Sequence, residues 1–177
     1  MPIVSIDGGA KRLGWALLDR EGSKPIYLGS GIVELPRGDT PFQEYRLNLI
    51  DYYIENLTKP GSIFDPNYLP ITHVVNETVP AVGSYGGTQM YLVNMVVTVV
   101  QTIAKLNNIP VSQIGATTVH SKIAIKSKSK GITKQQVRNG VIQLLPELES
   151  RRKDWVKVFD EPDAIAVGLA HLGFSNG

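Results

Sequence analysis

The sequence predicts a single α/β domain over residues 1–177, with a mixed five-stranded sheet flanked by helices. The first three strands should be antiparallel and the last two parallel. Three observations lead to this prediction. Short apolar runs alternate with helical patterns along the chain. The turns between the first three runs are too short to hold a helix, as in antiparallel hairpins. Helical patterns precede the fourth and fifth runs, as in parallel crossovers.

The N-terminal segment is typical of a three-stranded meander. Residues 2–7 and 13–19 are apolar runs on either side of a turn that begins with Gly8-Gly9. A polar turn over residues 21–24 then leads to a third run over residues 25–35. Because turns of this kind join neighbouring antiparallel strands, these three strands should lie side by side.

A helix and a fourth strand should follow the meander. Thr40-Pro41-Phe42-Gln43 has the pattern of a helix start, with Thr as the cap, Pro in the first position and Gln completing a capping box. The helical apolar spacing continues to Leu57, and residues 59–70 are rich in proline, which predicts an irregular loop. Residues 71–76 then form a strand pattern that ends at Glu77.

The second half of the chain predicts three more helices and one more strand. A helix over residues 88–107 is apolar on more than one face, so one face could pack on the sheet and the other on a second subunit. Residues 110–119 predict the fifth strand, and residues 122–130 a basic, exposed segment. Thr133–Gln136 is a second capping box, and the last helix should begin near Glu161.

Composition narrows the class of protein. No Asp or Glu occurs between Glu77 and Glu147, whereas seven Lys or Arg residues do, which favours a surface for a polyanion. The absence of cysteine excludes thiolate metal sites and fits a reducing compartment. With no signal-like or membrane-spanning stretch in the sequence, we expect a cytoplasmic protein.

Four carboxylates fall where they could converge. Asp7 and Glu77 end strands that should be parallel neighbours, and Asp160 and Asp163 lie on one face at the start of the last helix. Each acid alone has a simpler interpretation: a turn residue for Asp7, a solvated acid for Glu77, and a helix cap or first-turn acid for the other two. Their order along the chain favours a shared site.

Such a cluster would repel itself unless a cation binds there. Oxygen ligands without cysteine favour Mg²⁺ or Mn²⁺ over Zn²⁺. Two such ions can activate water and stabilise the leaving oxygen at a phosphodiester, and basic residues would hold the nucleic-acid backbone. The candidate DNA-binding residues are Lys122, Lys126, Lys128, Lys130, Lys134 and Arg138.

At these positions the sequence resembles the RuvC family of Holliday junction resolvases, within the ribonuclease H-like superfamily. The resemblance is carried by Ser5–Ala16, Val74–Glu77, Gly131–Val137 and Asp160–His171, of which the last is the most specific. It implies a ribonuclease H-like fold and a homodimer that nicks opposed strands of a four-way junction, leaving 5′-phosphate and 3′-hydroxyl ends.

The resemblance also implies roles for individual residues. Asp7, Glu77, Asp160 and Asp163 would be ligands of Mg²⁺, with Asp7 bridging two ions. Lys134 and Lys122 would contact DNA near the scissile phosphate, with Lys126 and Lys128 as alternatives to Lys122. Pro80 stands where the family often has an aromatic residue, and Tyr85 could substitute by stacking on a base or could be an ordinary loop residue. His171 has a counterpart in the family, and a helix C-terminal cap is its simplest role.

Other functions stay open at this stage. A nuclease for branched DNA more broadly, or a protein that binds junctions without cutting, would share the fold. An actin-like phosphotransferase fragment would share only the first motif and would need a second lobe to enclose a nucleotide. A ribonuclease acting on RNA–DNA hybrids would usually take its second acid from a helix, whereas Glu77 ends a strand. We expect no nucleotide cofactor and no membrane association.

Overall fold

The computed structural model describes residues 1–9, 12–34, 71–78, 87–125, 131–156 and 158–176, with side chains described from residue 93 onward in the segment that begins at 87. The predicted helix that starts at Thr40, the predicted loop over 59–70 and most of the loop after Glu77 lie outside these residues. No helix in the described segments is long and apolar enough to cross a membrane.

Five strands form one sheet in the order β3-β2-β1-β4-β5. They are β1 (Ile3–Gly8), β2 (Arg12–Glu21), β3 (Lys24–Glu34), β4 (His73–Glu77) and β5 (Val111–Ile114). β2 is antiparallel to β1 and β3, whereas β4 is parallel to β1 and to β5. The predicted mixed sheet, three antiparallel strands followed by two parallel ones, is therefore confirmed.

Four α-helices are described: α1 (Gly87–Leu106), α2 (Ala116–Ile123), α3 (Lys134–Leu144) and α4 (Asp160–His171). Two short 3₁₀ helices, Pro146–Arg152 and Asp154–Val156, connect α3 to α4. The prediction that the fifth strand runs to residue 119 is wrong, because β5 ends at Ile114 and α2 follows. Val119 and Ile123 are both buried, and their spacing of four places them on one side of a helix.

The sheet is covered on both faces, and the alternation of side chains along β1 assigns its residues to two cores. Val4 and Ile6 pack with Val96, Val100 and Ile103 of α1. Ile3 belongs to the second core, which includes residues of α2, α3 and α4. Asp7 follows the same alternation as Ile3 and therefore faces the α4 side.

Most apolar residues among the described side chains of α1 are buried within this subunit, whereas Leu106 at its end is exposed. Val96, Val99, Val100 and Ile103 are buried against the sheet. On the outward side, Thr98 and Thr102 are exposed, and their hydroxyls donate to the carbonyls of Asn94 and Thr98. The expected second apolar face is therefore absent over most of the described side chains of this helix, which extend from Val93 to Leu106.

Helix α4 packs closely over the sheet. Gly14 of β2 lies beneath its first turn, where an added Cβ would be only 2.0 Å from the carbonyl oxygen of Asp160. Ala164, Ala166 and Ala170 are buried along the helix, as expected from the small size of their side chains. This close approach holds the start of α4 at the edge of the sheet where β1 and β4 end.

Candidate active site

Two carboxylates reach the site from neighbouring strands. The parallel register pairs Ile3 with His73 and continues to Ile6 with Asn76, so the next residues, Asp7 and Glu77, stand side by side. Adjacent strands lie about 4.8 Å apart, which brings these two residues close together at one end of the sheet. The prediction that β1 and β4 are parallel neighbours is thus confirmed, and the strands place both acids at one edge.

The first turn of α4 supplies the other two acids. Asp160 lies over the turn that follows Asp7, because a Cβ added to Gly9 would be 3.2 Å from Asp160 Oδ1. Asp163 is one helical turn further on, and its backbone N–H donates to the carbonyl of Phe159 at 2.9 Å. Acids are favourable here because the helix N-terminus carries a partial positive charge.

The pKa shifts indicate that these acids lie within electrostatic reach of one another. Burial raises the pKa of Asp7 well above its usual value, and the negative charges of Asp163, Glu77 and Asp160 raise it further while Lys134 lowers it. Burial followed by the charge of Asp163 likewise raises the pKa of Glu77. The four predicted acids are therefore brought into one cluster, although they are far apart in the sequence.

Asp163 forms an ion pair with Lys134. The Nζ of Lys134 donates to Asp163 Oδ2, and the Lys134 side chain remains 61% exposed. Burial nevertheless raises the pKa of Asp163, because it outweighs the opposing effect of Lys134. Burial disfavours the ammonium of Lys134, but the attraction of Asp163, Asp7 and Asp160 exceeds this effect and raises the pKa of Lys134.

The position of Lys134 follows from a local feature of the sequence. Thr133 caps α3 by accepting a hydrogen bond from the backbone N–H of Gln136, and Gln136 Oε1 accepts from the N–H of Thr133. This confirms the predicted capping box and makes Lys134 the first residue of α3. The start of α3 therefore points a cation at the first turn of α4.

The cluster has the ligand types of a divalent-cation site, although its acids are not arranged around a single ion position in this structure. Within the described residues, no three carboxylate, imidazole or thiol groups can hold one ion as they stand. The donor set nevertheless fits a hard cation, because it consists of carboxylate oxygens whose mutual repulsion a bound cation would relieve. The ammonium of Lys134 partly serves this purpose at Asp163.

Sequence reasoning missed a histidine near the cluster. Electrostatic interaction with His120 lowers the pKa of Asp163, so the imidazole of this α2 residue is close enough to act on the site. The prediction of a strand over residues 110–119 had placed His120 just beyond its end. An apolar pair with a spacing of four, Val119 and Ile123, is the signal that could have indicated α2.

Two of the predicted DNA-binding residues lie away from the cluster. Lys122 is partly buried in α2 and its Nζ donates to the carbonyl of Ala170, near the opposite end of α4 from Asp160. Arg138 is only 7% exposed and its Nη1 donates to the carbonyl of Trp155. Neither side chain borders the carboxylates. The contact of Lys122 near the scissile phosphate and the contact of Arg138 with DNA stay predictions. The other candidates, Lys126, Lys128, Lys130 and Tyr85, lie outside the described residues.

His171 lies at the far end of α4. Its ring stacks on His73 with 5.0 Å between the ring centroids. His73 in turn shares a hydrogen bond with Ser112 Oγ at 2.7 Å. Burial lowers the pKa of His171, and electrostatic interactions with His73 and Lys122 lower it further. His171 is the last residue of α4, the C-cap itself is Leu172, and the stacked His171 ring joins α4 to the start of β4.

A mixed five-stranded sheet with carboxylates gathered at the end of its central strands is typical of ribonuclease H-like nucleases. The chain belongs to the RuvC family: the family model described as crossover junction endodeoxyribonuclease RuvC matches residues 3–171. Membership of this family implies dependence on a divalent metal ion.

Individual relatives agree with this assignment. Crossover junction endodeoxyribonuclease RuvC of Methylorubrum extorquens is 28% identical over 170 residues, covering 96% of this chain and 78% of the relative. Thermus thermophilus RuvC, solved in complex with a Holliday junction substrate, has a TM-score of 0.69 at 20% identity and covers 97% of this chain and 93% of its own. Fowlpox virus resolvase, solved with Holliday junction DNA, has a TM-score of 0.59 at 15% identity, with 96% and 97% covered.

Proposed function

We propose that this chain resolves four-way DNA junctions by metal-dependent hydrolysis of phosphodiester bonds, with Asp7, Glu77, Asp160 and Asp163 as its catalytic carboxylates. The single observation that carries the proposal is the convergence of these acids at one end of the sheet in a chain that belongs to the RuvC family. The Thermus and fowlpox proteins that share its fold were solved with Holliday junctions, which supports the choice of substrate.

The four carboxylates would hold two Mg²⁺ ions, for which Mn²⁺ could substitute, with Asp7 shared between them. Bound ions of this kind activate a water molecule and stabilise the leaving oxygen at a phosphodiester. The protein itself contributes by fixing the positions of the four acids. Asp7 and Glu77 are placed by paired strands, and Asp160 and Asp163 by a helix packed against Gly14. Hydrolysis consumes water and needs no nucleotide cofactor.

Lys134 is the residue best placed to bind the scissile phosphate. It is largely exposed, it borders the carboxylate cluster, and its ammonium bonds a carboxylate that would otherwise bind metal. With a cation held at Asp163, Lys134 would be free of this carboxylate and its ammonium would contact the DNA backbone. Lys126, Lys128 and Lys130 would contact the DNA backbone, and Tyr85 would stack on an unpaired base.

A homodimer is part of the proposal, because resolving a junction requires two opposed nicks. The described outward face of α1 carries Thr98, Thr102 and the exposed Leu106, so pairing along it would be through two small side chains and one leucine. We expect the protein to act in the cytoplasm, where its DNA substrate would be present in a bacterial or viral setting.

The decisive experiment compares cleavage of a synthetic four-way junction with cleavage of a linear duplex of the same sequence. Wild type in Mg²⁺ should cut the junction selectively and at paired positions. Asp7→Asn should bind the junction without cutting it. A flapped duplex and a three-way junction in the same panel measure how broad the selectivity is.

Asp154→Asn is the matched control, because this aspartate is exposed on the segment before α4 and makes no described contribution to the cluster. It should cut like wild type. Equal hydrolysis of junction and linear duplex by wild type would contradict junction selectivity. Binding without any cutting, in Mg²⁺ and in Mn²⁺, would instead support a junction-binding protein without nuclease activity.

A further inference from the structure

Glu161 stands between two of the proposed metal ligands, yet it points away from them into the protein. It is the second residue of α4 and is only 4% exposed. Its carboxylate accepts hydrogen bonds from Ser30 Oγ at 2.5 Å and Trp155 Nε1 at 2.9 Å, and it forms an ion pair with Arg151, whose Nη1 lies 2.6 Å from Oε1. Arg151 Nη2 makes a second contact with Oε2 at 3.2 Å. A buried carboxylate with this many donors is held in one position.

A bulge in β3 makes part of this network possible. Leu17 pairs with Gly29 and Leu18 pairs with Tyr27, so Leu28 is an extra residue in the ladder. Side chains three apart in a regular strand face opposite sides of the sheet. The bulge instead places Tyr27 and Ser30 on the same side, where their oxygens are 2.8 Å apart. Bulges are frequent beside active sites, where they redirect side chains in this way.

The network also reaches the segment between α3 and α4. Arg151 and Trp155 belong to the two 3₁₀ helices, and the Arg151 guanidinium lies 5.8 Å from the centre of the Trp155 ring. Arg151 Nη1 also donates to the hydroxyl of Tyr27 at 3.2 Å. On its other side, the carbonyl of Trp155 accepts from buried Arg138 of α3. Glu161 thus connects β3 and the 3₁₀ segment directly, and α3 through Trp155.

We propose that Glu161 is a positioning residue for the active site, and that its network with Ser30, Arg151 and Trp155 sets the placement of Asp160 and Asp163. This inference rests on the proposed function of those two acids. Its reason is mechanical: the first turn of a helix is easily distorted, and α4 has no side-chain cap at Phe159. Gly14 allows the first turn of α4 to approach the sheet, and the contacts of Glu161 fix the lateral position of that turn.

A purely structural role is the competing explanation. A buried ion pair contributes little net stability compared with apolar residues of similar size, but losing one partner is costly because the other is left buried without its counter-charge. A variant of Glu161 would therefore lose stability under either explanation. Only the positioning role predicts weaker metal binding in protein that is still fully folded.

The test compares Glu161→Gln with Glu149→Gln. Glu149 lies on the 3₁₀ helix that carries Arg151 and pairs with Arg152, and because that pair is exposed it is a matched control. Binding of Mn²⁺ to protein without DNA is measured by electron paramagnetic resonance well below the melting temperature. Junction binding is measured in Ca²⁺, and kcat and KM for junction cleavage in Mg²⁺.

Glu161→Gln should raise the Kd for Mn²⁺ and lower kcat, each by about 10–100-fold as for other residues that orient metal ligands, with junction affinity unchanged within about twofold. Glu149→Gln should match wild type. A folded Glu161→Gln whose Mn²⁺ affinity and kcat stay within about twofold of wild type would overturn the proposal.

Ser30→Ala is the second variant, and it decides the matter if Glu161→Gln does not fold. It removes one donor to Glu161 and leaves the ion pair with Arg151 in place. A Kd for Mn²⁺ raised at least about threefold supports positioning, and an unchanged Kd refutes it. Because Mn²⁺ binding is read without DNA, a wild type that fails to cut junctions would contradict the proposed function without deciding the role of Glu161.

Discussion

Replacing Asp7 by Asn should stabilise the protein in the absence of metal and abolish its activity. Asp7 and Glu77 end neighbouring strands, whose backbones lie about 5 Å apart. Two like charges at that distance repel by about 3 kcal/mol at an effective dielectric constant near 20. Lys134 and solvent offset part of this repulsion, so we expect a net gain of about 1–3 kcal/mol in the free energy of unfolding.

Thermal unfolding in EDTA provides the measurement. For a chain of 177 residues, about 1 kcal/mol corresponds to a shift of roughly 2–4 °C, so Asp7→Asn should melt about 2–12 °C above wild type. The pKa of Asp7 is raised, so its neutral form is favoured by folding and the destabilisation of wild type appears as pH rises through that pKa. The advantage of Asp7→Asn should therefore grow with pH and shrink on acidification.

Bound metal should reverse the order of stability of wild type and Asp7→Asn. Mg²⁺ should raise the melting temperature of wild type more than that of Asp7→Asn, because the variant has lost a ligand. Cleavage by the variant should fall by more than the ~100-fold typical of residues that only orient metal ligands. A variant that is less stable than wild type in EDTA at neutral pH, or that still cuts junctions at a comparable rate, would refute the clustered-carboxylate reasoning.

Three further predictions follow from the same geometry. Since burial and mutual repulsion raise the pKa values of the cluster, cleavage should begin to fall on acidification at a pH above the usual carboxylate range, and extra Mg²⁺ should restore it in a pH–rate profile. Gly14→Ala should cost about 1–3 kcal/mol in urea unfolding because its Cβ would overlap the Asp160 carbonyl, whereas Gly29→Ala meets only ordinary contacts at 3.9 Å and should cost less. Arg138→Met should leave the salt dependence of junction binding unchanged, because Arg138 is buried. Lys134→Ala should reduce the slope of junction affinity against salt concentration, because Lys134 is exposed beside the carboxylates. Equal slopes for both variants would contradict the assigned roles.

Local patterns were sufficient to predict much of the fold. The alternation of short strands, the turns between the first three, and the capping box at Thr133 and Gln136 each act over a few residues, and the structure confirms them. The same local reasoning failed at residues 115–119. There, β-branched residues favour a strand, but burial of Val119 on the core side of a helix decides the conformation.

The spacing of basic residues along the sequence predicted poorly which of them lie beside the carboxylate cluster. Lys122 and Arg138 contribute to a basic interval, yet one caps the end of α4 and the other is buried beside Trp155. A basic residue contacts DNA only if its side chain reaches the surface on the correct side. The burial of a basic side chain and the direction in which it points depend on how the helices pack, which cannot be predicted from neighbouring residues in the sequence.

The identity of the four acids, their positions at strand ends and at a helix start, and the family itself could all be recognised in the sequence, because each depends on neighbours a few residues away. The tertiary structure decided that these acids meet, that Lys134 rather than Lys122 borders them, and that Glu161 turns inward to a network anchored by a bulge in β3. The physical reason is that electrostatic coupling and hydrogen bonding depend on distance in space, which here joins residues of β1, β3, β4, α3 and α4 that the chain keeps far apart.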